Sequence, residues 1–412
     1  MPTETRLAFG LRVAELRRQC NLTQGELAAA IGRTASWVSQ VERGIQPVNR
    51  LDVLRLLANG LGVSLQTLQP DAPSEAKRQE GDEPSSNDLD QVRLLISGHA
   101  APDVLLEPRD DVRPGLVPEL RAQVDRVWDL AHAGQFAELG TILCPLVPRL
   151  ERASRTAPAE HRPEIHRQLA RTYQALAAAF VRQNEADAAW VSADRAIRAA
   201  ELADDKLGVF VGIFRLVHAF VRLQRLDQAE HTAATALNTL ARHTESDATP
   251  AEELSVVGSL HLALALVHAR AGDRTAAREQ IDKARVVAAR VGEERNDFNL
   301  EFGPTNVEVQ AVSTAVDLGD AGEALDIGQG LDATRLSGER QARLLLDLGR
   351  AHAQRRQFGD ALDCLLKAEG IAADVIRGHV AAREVIRELK LMAGRAASPE
   401  LRGLAERADA MG

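Results

Sequence analysis

The chain is short of aromatic residues, cysteine and long apolar runs, and each shortage excludes something. Aromatics make up only 3% of 412 residues while Ala and Leu dominate, which favours helices over strands. Three scattered cysteines, Cys20, Cys144 and Cys364, with no CxxC spacing encode neither a disulfide framework nor a cysteine zinc site. They read as reduced thiols in a cytoplasmic protein. The first ten residues, MPTETRLAFG, lack the basic-then-apolar pattern of a signal peptide. The most apolar window, Val209 to Val221, is interrupted by Arg215 and His218, so no membrane span is expected. Also missing are GxxxxGK[ST], GxGxxG after a strand, HExxH and GxSxG, so no catalytic site, cofactor or metal is expected.

What is present begins with uneven charge. The net charge is −9, yet residues 1–69 hold eight Arg against five Asp or Glu. A mildly basic head on an acidic body suits a head that meets phosphate and a body that does not.

Within the head, QGELAAAIGRTASWVSQVERG (24–44) carries helix-turn-helix spacing. Ala28 lets two helices cross closely, Gly32 supplies the turn, and Val38 and Val41 share the face that packs back. The second helix then becomes a rod whose outer face can enter a DNA major groove. A first helix is expected over about Arg6 to Arg18, with Leu7, Leu11, Ala14 and Leu16 as its apolar positions. Thr23 and Glu26 form a capping box for a helix from Gln24 to Ile31. Thr34 caps the helix Ala35 to Arg43, which Gly44 ends. Leu51, Leu54, Leu57, Ala58 and Leu61 mark a fourth helix, and Ser64 caps a short fifth one ending near Leu68.

Taken together, LRVAELRRQCNLTQGELAAAIGRTASWVSQVERGIQPVNRLDVLRLLANGLGVSLQTL resembles the XRE-type helix-turn-helix domain shared by phage repressors and Cro. The resemblance implies roles by position. Ala35, Ser36 and Gln40 fall where base-reading side chains sit, and the Gln40 carboxamide suits adenine N6 and N7. Gln24 and Arg43 fall at phosphate-contacting positions, Gln24 also at a helix N-terminus that attracts phosphate. Thr34 and Ser39 lie along the same DNA-facing helix. Arg17 and Glu42 match a pair that forms a salt bridge inside this fold. Arg33 and Arg50 are phosphate ligands or solvated charges. Trp37, where small polar residues are common, presses a sugar or thymine methyl or packs on its own domain.

Residues 70–90 are rich in Pro, Ser and charge without apolar periodicity and read as a flexible linker. Residues 91–114 are transitional, with short helices at Val92 to Ser97 and near Val104. From 115 to 412 the chain reads as continuous helix with recurring punctuation: GQFAEL (134), QNEADA (183), QRLDQA (224), GDRTAA (272), GDAGEA (319) and RQFGDA (356). All but the first end on Ala, where a small residue admits close helix crossing. This is a helix–turn–helix repeat array. The stretches resemble the tetratricopeptide turn in a lengthened form, and the helices after Ile376 read as a terminal cap.

Head and array together resemble the bacterial XRE regulators with C-terminal tetratricopeptide repeats common in actinobacteria. The peptide-sensing regulators of Gram-positive bacteria share this architecture. The resemblance implies an all-α chain: a five-helix, lambda-repressor-like head followed by an α-solenoid that holds a signal on its concave wall. Polar residues on each repeat's first helix are then the informative ones. Arg215, His218 and Arg222 share one face at three- and four-residue steps, and His261 and His268 share another. Asn306 offers donor and acceptor together, which suits a peptide backbone. The two histidines stand about two turns, roughly 10 Å, apart, too far for one metal ion without other ligands.

The expected function is a cytoplasmic, sequence-specific transcription regulator, not an enzyme. It would bind double-stranded operator DNA of dyad symmetry as a homodimer and respond to a peptide or small-molecule effector in the repeats. The alternative is an interaction adaptor whose array docks a protein partner, with DNA binding secondary or lost.

Overall fold

The computed structural model describes residues 3–20, 22–31, 35–44, 57–58, 60–61, 63, 65–68, 89–98, 103, 115–244 and 248–410. The predicted linker, the turn at Gly32–Arg33, Thr34, Arg50, most of the fourth head helix and the helix near Val104 lie outside them, as do the Ser36 and Trp37 side chains. The chain divides into two compact units, Met1–Glu83 and Pro84–Gly412. The fold is all-helical, as its composition predicts.

In the first unit, α1 (Thr3–Gln19), α2 (Gln24–Ala30), α3 (Ala35–Glu42) and α4 (Leu65–Leu68) surround a small core. Its centre is Leu27, Ala28, Val38 and Val41, each at most 2% exposed. The capping box that starts α2 is present: the Thr23 N–H donates to Glu26 Oε2 at 2.7 Å, and the Glu26 N–H donates to Thr23 Oγ1 at 3.2 Å. Of the apolar positions expected on α1, Ala14 and Leu16 are buried and Leu11 is not. Leu11 is exposed, while Phe9, Val13 and Leu16 are buried at four- and three-residue steps. Leu11 lies two residues from both Phe9 and Val13, on the opposite side of the helix. Gly10 lies against the Val41 and Glu42 carbonyls, where any Cβ would collide, so α1 and α3 touch backbone to backbone.

In the second unit, α5 (Asp90–Ser97) precedes six helix hairpins: α6 (Leu116–Ala133) with α7 (Phe136–Thr156), α8 (Arg162–Gln183) with α9 (Ala186–Leu202), α10 (Lys206–Arg222) with α11 (Leu226–Thr244), α12 (Ala251–Ala271) with α13 (Arg274–Val291), α14 (Pro304–Asp317) with α15 (Ala321–Gly328), and α16 (Gly338–Gln354) with α17 (Phe358–Ile371). Helices α18 (Ala373–Gly378), α19 (Val380–Ala393) and α20 (Pro399–Arg407) follow.

Every hairpin turns at one of the six recognised stretches, and every turn is built alike. One residue takes a left-handed conformation: Gly134, Asn184, Gln224, Gly272, Gly319 or Arg356. Its N–H bonds the carbonyl three residues back, and the next N–H bonds the carbonyl five residues before it, as in Gly134 to Ala131 and Gln135 to Leu130. This is the Schellman closure, which satisfies carbonyls left open by the end of the first helix. Five residues after each left-handed residue comes a buried one, namely Leu139, Ala189, Ala229, Ala277, Ala324 and Ala361. The second stretch therefore aligns one residue later than its sequence suggests, on Asn184 and Ala189.

The array also closes on itself. One continuous core joins α6–α9 to α16–α20. The Gly134 turn abuts Ala372, where an added Cβ would stand 2.8 Å from the Ala372 Cβ. The first helix of each hairpin from α8 to α16 faces inward around the resulting cavity. Helix α12 is, by length and composition, apolar enough to cross a membrane, a property predicted for no segment. Its most apolar stretch is 67% buried, and packing between α11, α13 and the loop before α14 explains its apolarity.

Candidate functional site

Two features have the makings of a site, one in each unit. In the first unit, α3 is fastened from behind. The Arg17 guanidinium grips Glu42 at both oxygens, Nε to Oε1 at 2.6 Å and Nη2 to Oε2 at 3.1 Å. Arg17 Nη1 also donates to the Leu22 carbonyl at 2.7 Å, tying in the segment before α2. Gln24 Nε2 donates to Glu42 Oε2 at 2.7 Å, so its amide is engaged within the protein. Burial works against the Glu42 charge, but the bonds from Arg17 and Gln24 hold its carboxyl below the usual range. One carboxylate thus locks the end of α3 to α1 and to the start of α2. On the outer side, Ala35 and Arg43 are exposed, and Ser39 and Gln40 are half-buried. Arg43 Nε donates back to the Ser39 carbonyl at 3.2 Å. With Val38 and Val41 inward, the rod presents a polar face on a fixed base.

In the second unit the hairpins enclose a cavity of about 290 Å³. Its wall carries seven arginines against three carboxylates, although the body as a whole is acidic. Two of the carboxylates are shared among arginines. Glu339, 1% exposed, accepts from Arg182 Nε at 3.1 Å and lies 3.8 Å from Arg340 and 4.0 Å from Arg343. Burial penalises its charge, but those three arginines outweigh the penalty and hold its carboxyl far below the ordinary range. Asp317 is shared by Arg350 at 2.8 Å and Arg270 at 3.0 Å.

Of the residues singled out by sequence, Arg215, His218, Arg222 and Asn306 all line this cavity. Arg215 is buried, its Nη2 donating to the Asn299 carbonyl at 3.1 Å and its Nε left without a partner. Its guanidinium carbon sits 5.4 Å from the Trp128 ring centre and 5.1 Å from that of Phe214. Burial and the neighbouring guanidiniums push it down to about 9, so it remains charged at neutral pH. His218 packs edge-on against Phe214 at 4.6 Å. Burial, then Arg215 and Arg340, push it down to about 3, so the imidazole is neutral. Asn306 Nδ2 donates to the Glu301 carbonyl at 2.5 Å, which leaves its buried Oδ1 as an unused acceptor.

His261 and His268 are not on this wall. His261 Nδ1 is 2.8 Å from Gln280 Oε1 on α13. The inward face of α12 is instead Ser259, Leu262, Ala263, Leu266 and Arg270, and His261 lies two residues from Ser259 and from Ala263, on the opposite side. Glu308, two residues beyond Asn306 on α14, is likewise turned to α13 by a bidentate Arg285.

Sequence reasoning passed over Arg182, Glu339, Arg340, Arg343 and His379. The signal was available for four of them: they are polar residues on first helices of hairpins, the same rule that selected Arg215. Among the described residues no group of three His, Cys, Asp or Glu side chains gathers to hold a metal ion.

Residues 8–70 match a family model described as a helix-turn-helix domain. The match spans α1 to α4 and supports a DNA-binding regulator rather than an enzyme. No curated protein matches the chain.

Proposed function

We propose that this chain is a transcription regulator of the XRE type, with α3 as the helix that reads an operator in the major groove. The observation that carries this reading is the Arg17–Glu42–Gln24 network beneath α3 within a matched helix-turn-helix domain. A recognition helix must be rigid, because base contacts discriminate only when side chains arrive at fixed positions. The domain is small and only mildly basic, so two copies reading half-sites one DNA turn, about 34 Å, apart supply the affinity that one lacks. We assign the base contacts to Ala35, Ser36 and Gln40, and phosphate contacts to Arg43 and the α2 N-terminus, with Arg33, Thr34, Trp37 and Ser39 as further DNA contacts by their place in the sequence.

The hairpin array, tetratricopeptide-like in its turns, serves as sensor and dimerisation unit. Its closed ring favours this role. A ligand that fits one curvature of the ring better than another shifts the population of that curvature, and with it the spacing of paired heads. Mobility shift and footprinting on genomic fragments across a salt series test the reading. A dyad-symmetric footprint is the expected result. Binding that is uniform across sequences and vanishes with salt would defeat it and leave the array as a protein-docking adaptor.

A further inference from the structure

The charges around the central cavity do not balance among themselves. Seven arginines on the wall face three carboxylates, Asp317, Glu339 and Glu384; behind them Glu301 stands 3.3 Å from Arg340 and Asp347 2.8 Å from Arg350, which still leaves the arginines in excess. Arg343 has only the distant edge of Glu339 and spends its Nη1 on His379 Nε2 at 2.7 Å. Arg222 makes no hydrogen bond or ion pair among the described residues. The acid that attracts it is Asp317, already held by Arg270 and Arg350, and burial beside Arg343 and Arg270 pushes Arg222 down to about 10. Arg215 is 9% exposed and keeps an unpartnered Nε. A guanidinium does not escape such crowding by losing its proton, so the site holds uncompensated positive charge inside the fold. Buried charge of this kind is costly until an opposite charge is supplied.

The rest of the wall defines the ligand further. Asn306 Oδ1, on a side chain 2% exposed, is a further open acceptor that a donor on the ligand's body, or a water it carries, could fill. Phe214, Leu262, Leu266 and Leu300 supply apolar wall beside the arginines. The volume, about 290 Å³, is at the small end of ligand sites, which run from roughly 300 to 1,000 Å³. A segment of several amino acids exceeds it.

We propose that the cavity binds a small amphipathic oxyanion, a carboxylate or phosphate monoester on a short apolar body, with Arg215, Arg222 and Arg343 as its charge partners. The proposal rests on the reading of the array as a sensor and names the class of signal. An oxyanion suits the guanidinium fork, which bonds two oxygens at once. Ligand charge would also tie the closed ring together, because Arg215 reaches the cavity from α10 and Arg343 from α16.

The test uses the full chain and four probes of one length: hexanoate, hexyl phosphate, hexanol and hexylamine. Calorimetry and thermal unfolding are expected to show one site per chain for at least one of the two oxyanions and none for the alcohol or the amine. Whichever oxyanion binds more tightly identifies the source of the charge. Arg222→Met is expected to weaken that binding roughly tenfold or more, the value of one charge-assisted bond. The same variant without ligand should unfold at the wild-type temperature or above it, since it removes an unpaired cation. Absence of oxyanion binding, binding of hexanol as tight as hexanoate, or an Arg222→Met chain that binds normally each overturns the proposal. So does a ligand-free Arg222→Met chain that unfolds early, because Arg222 would then be holding the fold. The probe comparison on the wild-type chain stands without any variant. An operator footprint without oxyanion binding sinks this site and spares the regulator; oxyanion binding without a footprint does the reverse.

Discussion

Arg182, at the end of α8, donates through Nε to Glu339, at the start of α16, across 3.1 Å of space and 157 residues of sequence. The bond joins the second hairpin to the sixth and helps make a ring of what would otherwise be an open coil. Glu339 is also the only carboxylate within ion-pair reach of Arg343 among the described residues. Replacing it by Gln keeps the shape and removes the carboxylate from Arg182 and Arg343, while Arg340 keeps Glu301 at 3.3 Å. Glu339→Gln is therefore expected to destabilise the array by about 3–5 kcal/mol, the cost of breaking a buried charge network from one side. Denaturant unfolding of the full chain measures it. The pH dependence has a definite sign. A carboxyl held below its unfolded value adds stability that is complete above the ordinary carboxylate range and is lost as pH falls through the folded value. The gap between wild type and variant should therefore be constant from neutral pH down to about 5 and shrink below it. A gap that widened in acid would show that Glu339 is not ionised in the fold.

Glu42 in the head obeys the same rule on a smaller scale. Arg17 and Gln24 both end on it, and its carboxyl is held below the usual range in spite of burial. Glu42→Gln is expected to cost the head about 1–3 kcal/mol. Affinity for operator and for random DNA should fall together, because the whole rod loses its seat. Paired binding assays check this, and a loss confined to the operator would make Glu42 a specificity residue instead.

The turn geometry makes a prediction about residues that touch no site. Arg356 adopts φ 60° where three other hairpins use glycine. A left-handed Arg bears a steric cost of about 1 kcal/mol that glycine avoids. Arg356→Gly should raise the thermal unfolding temperature by a few degrees, provided the Schellman bonds from Arg356 and Gln357 persist. Gly134→Ala should lower stability by more than the same amount, since strain at φ 72° adds to the collision with Ala372. Scanning calorimetry on both variants decides, and equal responses would mean that the turns are not equivalent.

Those turns also show what was legible beforehand. The helical class and all six hairpins followed from composition and from short stretches at 134, 183, 224, 272, 319 and 356, because a helix end leaves local chemistry in the chain. The register of the second stretch was misjudged by one residue, since Asn184 is a left-handed residue that Gln183 disguises. Periodicity grouped Arg215, His218 and Arg222 on one face, and the structure places them on one cavity. It failed for His261 and His268: two histidines that share a face do not reveal which neighbour that face meets. Arg182, Glu339 and Arg343 were passed over although they obey the same first-helix rule, and their meeting depends on ring closure. Nothing local records that closure. It is written only in the fit of the first hairpin against the last helices, as in Gly134 against Ala372.

Gln40 separates base reading from general attachment. It lies half-buried one residue before Val41, whose side chain is inward, and within reach of the outer face that Ala35 and Arg43 share. Among the described residues its amide makes no contact of the kind that engages Gln24 with Glu42. Gln40→Ala is expected to weaken operator binding by about 1–3 kcal/mol, the value of a bidentate carboxamide–adenine contact, and to leave binding to random DNA nearly intact. Because no phosphate contact is removed, the slope of affinity against salt should stay the same. Arg43→Ala should behave oppositely, losing affinity on both DNAs and flattening the salt slope by about one counterion. Fluorescence anisotropy on operator and scrambled duplexes at several salt concentrations measures both variants. Equal losses for Gln40→Ala on the two duplexes would move Gln40 from the base-reading face to the scaffold beneath it.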